Sequence, residues 1–198
     1  MPDLPAMPSL PEPERQTDDN LPPWLDRFDD RVDQLWGTAF RGRPAADRLF
    51  YLASELGDFS LIWHLVGAAQ GLRSDPDADA TIRMAVVLLA ESLLVNQGIK
   101  RLVNRPRPRP TEPRPHELRK PLTSSFPSGH ASAAFTAAGV LGAHDPDLRP
   151  AFYAIATIVA TSRVHVQIHH ASDVIAGAAL GAVFARVAVR LWPLPPRP

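Results

Sequence analysis

Between residues 24 and 40 the chain reads WLDRFDDRVDQLWGTAF, with Trp24, Leu25, Phe28, Val32, Leu35 and Trp36 recurring at helical spacing between charges. This is the pattern of an amphipathic helix. Its apolar stripe must lie on the rest of a domain or on a membrane surface, where its tryptophans suit the interface. Further segments rich in Ala, Leu, Val and Ile predict helices over about 46–71, 80–99, 129–144, 149–166 and 171–192, with no alternating strand pattern to compete. The fold expected is all-α, a helical bundle of about five or six helices, membrane-embedded or membrane-associated.

The membrane reading has a rival in a soluble bundle. MAVVLLAESLLVNQGI approaches spanning length but contains Glu91 and Asn96, and ASAAFTAAGVLGAH is short and built from weakly hydrophobic Ala. Segment 171–192 is apolar after Asp173 and carries Arg186 and Arg190 near its end. The mean hydropathy of −0.11 is low for a polytopic protein because polar segments dilute the apolar ones.

Those polar segments organise the chain. Residues 1–23, rich in proline and acids, lack the basic and apolar regions of a secretory signal and cannot bury enough apolar surface to offset chain entropy, so they are expected to form a disordered tail. The domains expected are this tail, the amphipathic helix 24–40 and a helical-bundle domain over 46–198. Within the bundle lies RLVNRPRPRPTEPRPHELRKPLTSSFP, whose prolines exclude a continuing helix. A loop of that length inside a compact domain is usually functional.

Charge and cysteine narrow the chemistry. Lys plus Arg equals Asp plus Glu at 21 each, so no global field argues for a nucleic-acid partner. The absence of cysteine excludes disulfides and thiolate metal sites.

Short motifs carry the remaining signal. In KRLVNRPRP, Lys100 and Arg107, the latter followed by Pro108, place cations at a helix end and in the turn beyond it. Pro127-Ser128-Gly129-His130 opens the Ala-rich helix, where free amides and the helix dipole favour an oxyanion, Gly129 permits close backbone approach and Ser128 adds a hydroxyl donor. In SRVHVQIHHASD, His169 and Asp173 are four apart, so a helix beginning nearby lets the carboxylate hold one imidazole nitrogen and leave the other as a nucleophile. Arg163 adds a fork of donors suited to phosphate. A metal site built from His165, His169, His170 and Asp173 is the competing reading, but it leaves Lys100, Arg107 and Arg163 unexplained and sets them against a dication. His165 and His170 are read as packing or rim residues, as are His64, His116 and His144.

Taken together, K-x6-RP, PSGH and SR-x5-H-x3-D resemble, in order and with every signature residue present, the tripartite signature of the type 2 phosphatidic acid phosphatase superfamily. The resemblance covers roughly residues 46–192. SFPSGHASAAF and HHASDVIAGAALGA look like its bacterial lipid-phosphatase branch, with a resemblance to actinobacterial polyprenyl-type members. It implies that His169 attacks phosphorus, Asp173 orients it, and His130 protonates the leaving oxygen and then activates water. Lys100, Arg107, Ser128, Gly129 and Arg163 would bind phosphate, with no metal and no cofactor. The substrate implied is a lipid phosphate, such as a polyprenyl phosphate or diphosphate or a phosphatidate-like lipid, and the location a membrane, as expected of the cell membrane.

Helix parity agrees. If successive apolar segments run antiparallel, the end of the second, the start of the third, the end of the fourth and the start of the fifth fall on one side. Two departures stand out: the charged segment 24–40 replaces the first of the six spans usual in membrane members, and the Arg-rich loop favours the cytoplasmic side whereas the family's site usually faces away from it. No side is assigned. The alternatives are a soluble non-specific acid phosphatase, a vanadate-dependent haloperoxidase, and a catalytically silent binding or structural membrane protein.

Overall fold

A computed structural model describes residues 22–110, 118, 119, 123–195 and 197. Most of the expected tail, together with His116, lies outside the described residues. Among the described residues the regular structure is entirely helical: α1 (Pro23–Phe40), α2 (Pro44–Leu56), a 3₁₀ turn (Asp58–Ser60), α3 (Leu61–Gly71), α4 (Asp75–Leu93), a π-helical turn (Leu94–Ile99), α5 (Lys100–Leu102), α6 (Gly129–His144), α7 (Arg149–His165) and α8 (Ala171–Leu191). Prolines in the first turns of α1, α2, α4 and α7 start those helices where a missing amide hydrogen costs nothing.

The boundaries correct two expectations. The single helix predicted over 46–71 is broken after Gly57, where Phe59 and Ser60 adopt φ of 52° and 58°. A left-handed conformation at non-glycine residues is uncommon and ends the helical ladder. The helix predicted from residue 80 starts at Asp75, because the Ser74 hydroxyl accepts from the Asp77 amide at 3.3 Å. It ends in the π turn, which rotates Lys100 toward the start of α6.

Helix α6 is apolar on all sides and forms the central post, packed most extensively against α8 and α7 and then α4. Small residues bring α6 and α8 together. A side chain at Gly177 would meet the Ser128 carbonyl, and one at Gly181 the Ser132 carbonyl, so backbone occupies the space. Thr136 Oγ1 adds a 3.3 Å bond to the Gly181 carbonyl. At one pole, His144 Nε2 lies 3.0 Å from Asp77 Oδ1, and Arg83 donates to the carbonyls of Val140 and Trp192, closing the far end with paired polar groups. The site residues gather at the other pole.

Helix α1 lies along that second pole. Val32 and Trp36 pack against the cluster of Ala131, Ala160, Val164, Ala171 and Val174, while Trp24 and Leu35 stay exposed. Its one fully buried residue is Asp29. Among the described residues, α8 is the helix long and apolar enough to cross a membrane, with a mean hydropathy of 1.8. Exposed apolar side chains also line up on α4, where Ile82, Val86, Leu89 and Leu93 form one outward stripe.

Candidate active site

All the predicted site residues converge at one pole, held by the ends of helices that run in alternating directions. His169 sits in the tight turn joining α7 to α8. Its amide and that of Ile168 both donate to the Arg163 carbonyl, at 3.2 and 3.1 Å. His170 is the N-cap of α8 and Asp173 its third residue, in a reciprocal capping box, with the His170 amide donating to Asp173 Oδ2 at 2.9 Å. His169 therefore precedes the helix, unlike the shared helical face expected. The N-terminal turn still carries its Nδ1 to 3.5 Å from Asp173 Oδ2.

The other imidazole nitrogen faces a cation. Arg107 Nη1 lies 3.2 Å from His169 Nε2 and donates to the Ile168 carbonyl at 3.0 Å, while its Nη2 donates to the carbonyls of Thr123 and Ser124. These backbone acceptors fix the guanidinium beside Nε2. With the Nδ1 proton turned toward Asp173, Nε2 keeps its lone pair. Burial, helped by Arg163 and Arg107 and opposed by Asp173, pulls the His169 imidazole down to about 3, so the ring is neutral at ordinary pH.

A cavity of about 560 Å³ opens beside the ring, and Lys100, Gly129, His130 and His169 all line it. A Cβ at Gly129 would lie 3.5 Å from Lys100 Nζ and 3.6 Å from Asn96 Oδ1, which places the lysine ammonium directly against the start of α6. Burial, then the charges of Arg107 and Arg163, lower the Lys100 ammonium to about 8 against the pull of Glu91 and Asp173. Ser128 is fully buried behind Gly129: its Oγ accepts from the Ala131 amide at 3.5 Å, and its own amide donates to the Asp173 carbonyl at 3.0 Å. That last bond ties the starts of α6 and α8 together. Arg163 is buried, and its Nη1 donates to Ser54 Oγ on α2.

The structure adds residues that motif reading missed. Asp58, in the turn breaking 46–71, brings Oδ1 to 3.1 Å from His130 Nε2. Burial would raise its carboxyl, but His130, Arg163 and Arg119 outweigh burial and hold it below the ordinary carboxylate range. A Gly-Asp pair inside an otherwise helical run was the available signal. Arg105 donates to Asp173 Oδ1 at 2.6 Å and to Asp29 Oδ2 at 2.7 Å. Glu91 forms part of the cavity wall.

Of the residues weighed as metal ligands, His165 lies apart, while His169 and His170 both approach Asp173 Oδ2. His165 Nε2 faces Asp47 Oδ1 at 3.0 Å and its Nδ1 accepts from Trp36 Nε1 at 3.2 Å, away from the cavity. His170 Nδ1 lies 3.3 Å from Asp173 Oδ2.

Paired imidazoles, a buried carboxylate and cations gather around a cavity at one pole of the helical bundle, a set of groups complementary in charge to an oxyanion. The chain belongs to the PAP2 superfamily, whose model matches residues 80–195. Its structure is similar to the crystal structure of the first transmembrane PAP2 type phosphatidylglycerolphosphate phosphatase from Bacillus subtilis, with a TM-score of 0.64 and 24% identity over 86% of this chain and 87% of that one. It is also similar to Aquifex aeolicus LpxE, with a TM-score of 0.64 and 22% identity over 81% of this chain and 93% of that one. No curated protein sequence matches the chain. The matched span holds every predicted site residue and leaves out Asp29, Ser54 and Asp58.

Proposed function

We propose that this chain is a metal-independent phosphohydrolase that removes phosphate from a membrane lipid through a phosphohistidine on His169. The observation that carries this reading is the imidazole itself: Asp173 lies at one nitrogen, a fixed arginine at the other, and His130 and Lys100 share the same cavity. A phosphoryl group entering between Nε2 and Arg107 takes over the guanidinium donors, and Arg163, Lys100 and the amides opening α6 complement its equatorial oxygens. Nε2 attacks phosphorus, the bond to the ester oxygen breaks, and His130 hands that oxygen a proton. Asp173 stabilises the positive charge on the phosphorylated ring. Water then attacks phosphorus, giving its proton to His130, and His169 leaves as the neutral base.

A lipid substrate is supported by the surroundings. The outward apolar stripe on α4 and the spanning length of α8 suit a bilayer, and the fold is shared with a transmembrane phosphatase. The text around PSGH and His169 favours the bacterial lipid-phosphatase branch and a polyprenyl or phosphatidate-like substrate. The test is phosphate release in detergent and EDTA from a polyprenyl phosphate, a polyprenyl diphosphate, phosphatidate and p-nitrophenyl phosphate. Preference for one of the lipids without added metal supports the proposal, and loss of all activity in EDTA contradicts it.

His130 must carry a proton to act as the acid, and burial and the Arg163 charge lower its imidazole to about 4. Accordingly, kcat/KM is expected to begin falling above about pH 4, and a second, more alkaline limb should report Lys100. Its lowered pKa means that the ammonium is charged below about pH 8 and neutral above it, so kcat/KM is expected to fall as pH rises through about 8. In Lys100→Arg, whose charge persists, that limb should move upward by more than about one pH unit. A wild-type profile with no limb between about pH 7 and 10 would exclude Lys100 as a phosphate cation with this pKa.

A further inference from the structure

The amphipathic helix α1 lies outside the family-matched span, yet its one fully buried residue touches the site. Asp29 is 3% exposed, on a helix whose other contacts to the bundle include apolar Val32 and Trp36. Its Oδ1 accepts from the Ser172 amide at 2.8 Å, and its Oδ2 accepts from Ser172 Oγ at 2.6 Å and from Arg105 Nη2 at 2.7 Å. Arg105 Nη1 then donates to Ser172 Oγ at 2.8 Å and to Asp173 Oδ1 at 2.6 Å. The same helix and its C-cap hold the turn leading to His169: Trp36 Nε1 donates to His165, and Arg41 donates to the carbonyls of Val164 and His165 at 2.9 and 3.0 Å.

Burying a carboxylate carries a large desolvation cost, and Asp29 is buried against a guanidinium that Asp173 already neutralises. Charge balance explains why. Arg105 with Asp173 alone is a neutral pair, and an arginine at 2.6 Å would drain the carboxylate that must stabilise a cationic phosphohistidine. Adding Asp29 leaves the trio with one net negative charge, which part-exposed Asp26, 3.9 Å from the same guanidinium, reinforces, while Arg105's fixed fork holds the Asp173 carboxylate with Oδ2 toward His169.

We infer that Asp29 is a positioning residue for phosphoryl transfer, acting through Arg105 on Asp173, so that α1 is part of the catalytic apparatus of this chain. This rests on the proposal that His169 is the nucleophile. Asp29→Asn is expected to lower kcat by about 10- to 100-fold and leave KM within about twofold, as losses behind a reacting group do. Asp29→Glu, which keeps the charge, should recover part of that loss. The effect should also vanish in an Asp173→Asn background, because both changes act through one carboxylate.

The experiment is steady-state kinetics of wild type, Asp29→Asn, Asp29→Glu, Asp173→Asn and the double variant on the preferred lipid phosphate, with thermal unfolding of each in the same detergent. Arg105→Lys, which keeps charge but cannot bridge both carboxylates, should repeat the kcat loss and serves if Asp29→Asn does not fold. An unchanged kcat in these variants, a change confined to KM, or losses that add fully to those of Asp173→Asn would overturn the inference while leaving the His169 mechanism intact. A wild type that hydrolyses none of the phosphoesters overturns the reading beneath it.

Discussion

Replacing His169 by alanine is expected to lower kcat for lipid-phosphate hydrolysis by at least about 10⁴-fold, because removing a covalent nucleophile leaves only binding and electrostatic catalysis. The fold should survive. Among the described residues the polar contacts of the His169 side chain are to Arg107 and Asp173, and the turn that carries it is held by backbone bonds to the Arg163 carbonyl and by α1. Phosphate analogues such as vanadate should still bind the variant, more weakly, since Lys100, Arg163 and the start of α6 remain. The comparison is made by phosphate release and by thermal unfolding. A variant that keeps its unfolding temperature and more than about a tenth of the wild-type rate would rule out His169 as the nucleophile.

Asp173→Asn should be nearly as damaging to turnover, by about 10³- to 10⁴-fold in kcat, because the amide can turn its NH₂ toward His169 and favour the wrong tautomer. Asp173 does more than orient the ring. It accepts from the His170 amide, closes the capping box of α8, passes its backbone carbonyl to the Ser128 amide and takes a bond from Arg105. One oxygen, Oδ2, serves both His169 and the His170 amide, so turning the NH₂ toward His169 gives up the cap bond, while the Ser128 amide keeps its backbone acceptor. Arg105 is left with buried Asp29 and the more distant, part-exposed Asp26 as its carboxylate partners, and a loss of stability of about 1–3 kcal/mol is expected. A variant with an unchanged kcat and a lowered unfolding temperature would assign Asp173 to structure only.

These residues were legible in the sequence because their local setting carries the geometry. Ser128-Gly129 is a helix N-terminus in composition as well as in space, and α6 spans 129–144 as the apolar pattern predicts. His169 and Asp173 are close in sequence, so the start of a helix suffices to bring them together. Antiparallel helices then deliver Lys100, Arg107, Gly129 and Arg163 to one pole without any long-range information beyond parity.

What sequence left hidden depends on distant pairings and on backbone states that residue type does not encode. Asp58 reaches His130 only because Phe59 and Ser60 turn left-handed, and neither residue advertises that conformation. The π turn at Leu94–Ile99 has no composition signal of its own, yet it sets where Lys100 points. Arg105 stands in an Arg-rich run with nothing to mark it from Arg101 or Arg109, and its role emerges from carboxylates on α1 and α8. On α1 the apolar stripe drew attention to Trp24 and Leu35, which the fold leaves exposed, while the charged Asp29 is the residue it buries.

The most direct test of the central claim is to look for the covalent intermediate. Wild-type protein turning over the preferred lipid phosphate in EDTA would be quenched rapidly in alkali, which preserves phosphohistidine, and its peptides mapped by mass spectrometry. The account predicts a phosphoryl group on His169, absent from His169→Ala and decaying at the rate of phosphate release. Rapid phosphate release with no phosphorylated His169, or with the phosphoryl group on another residue, would contradict it.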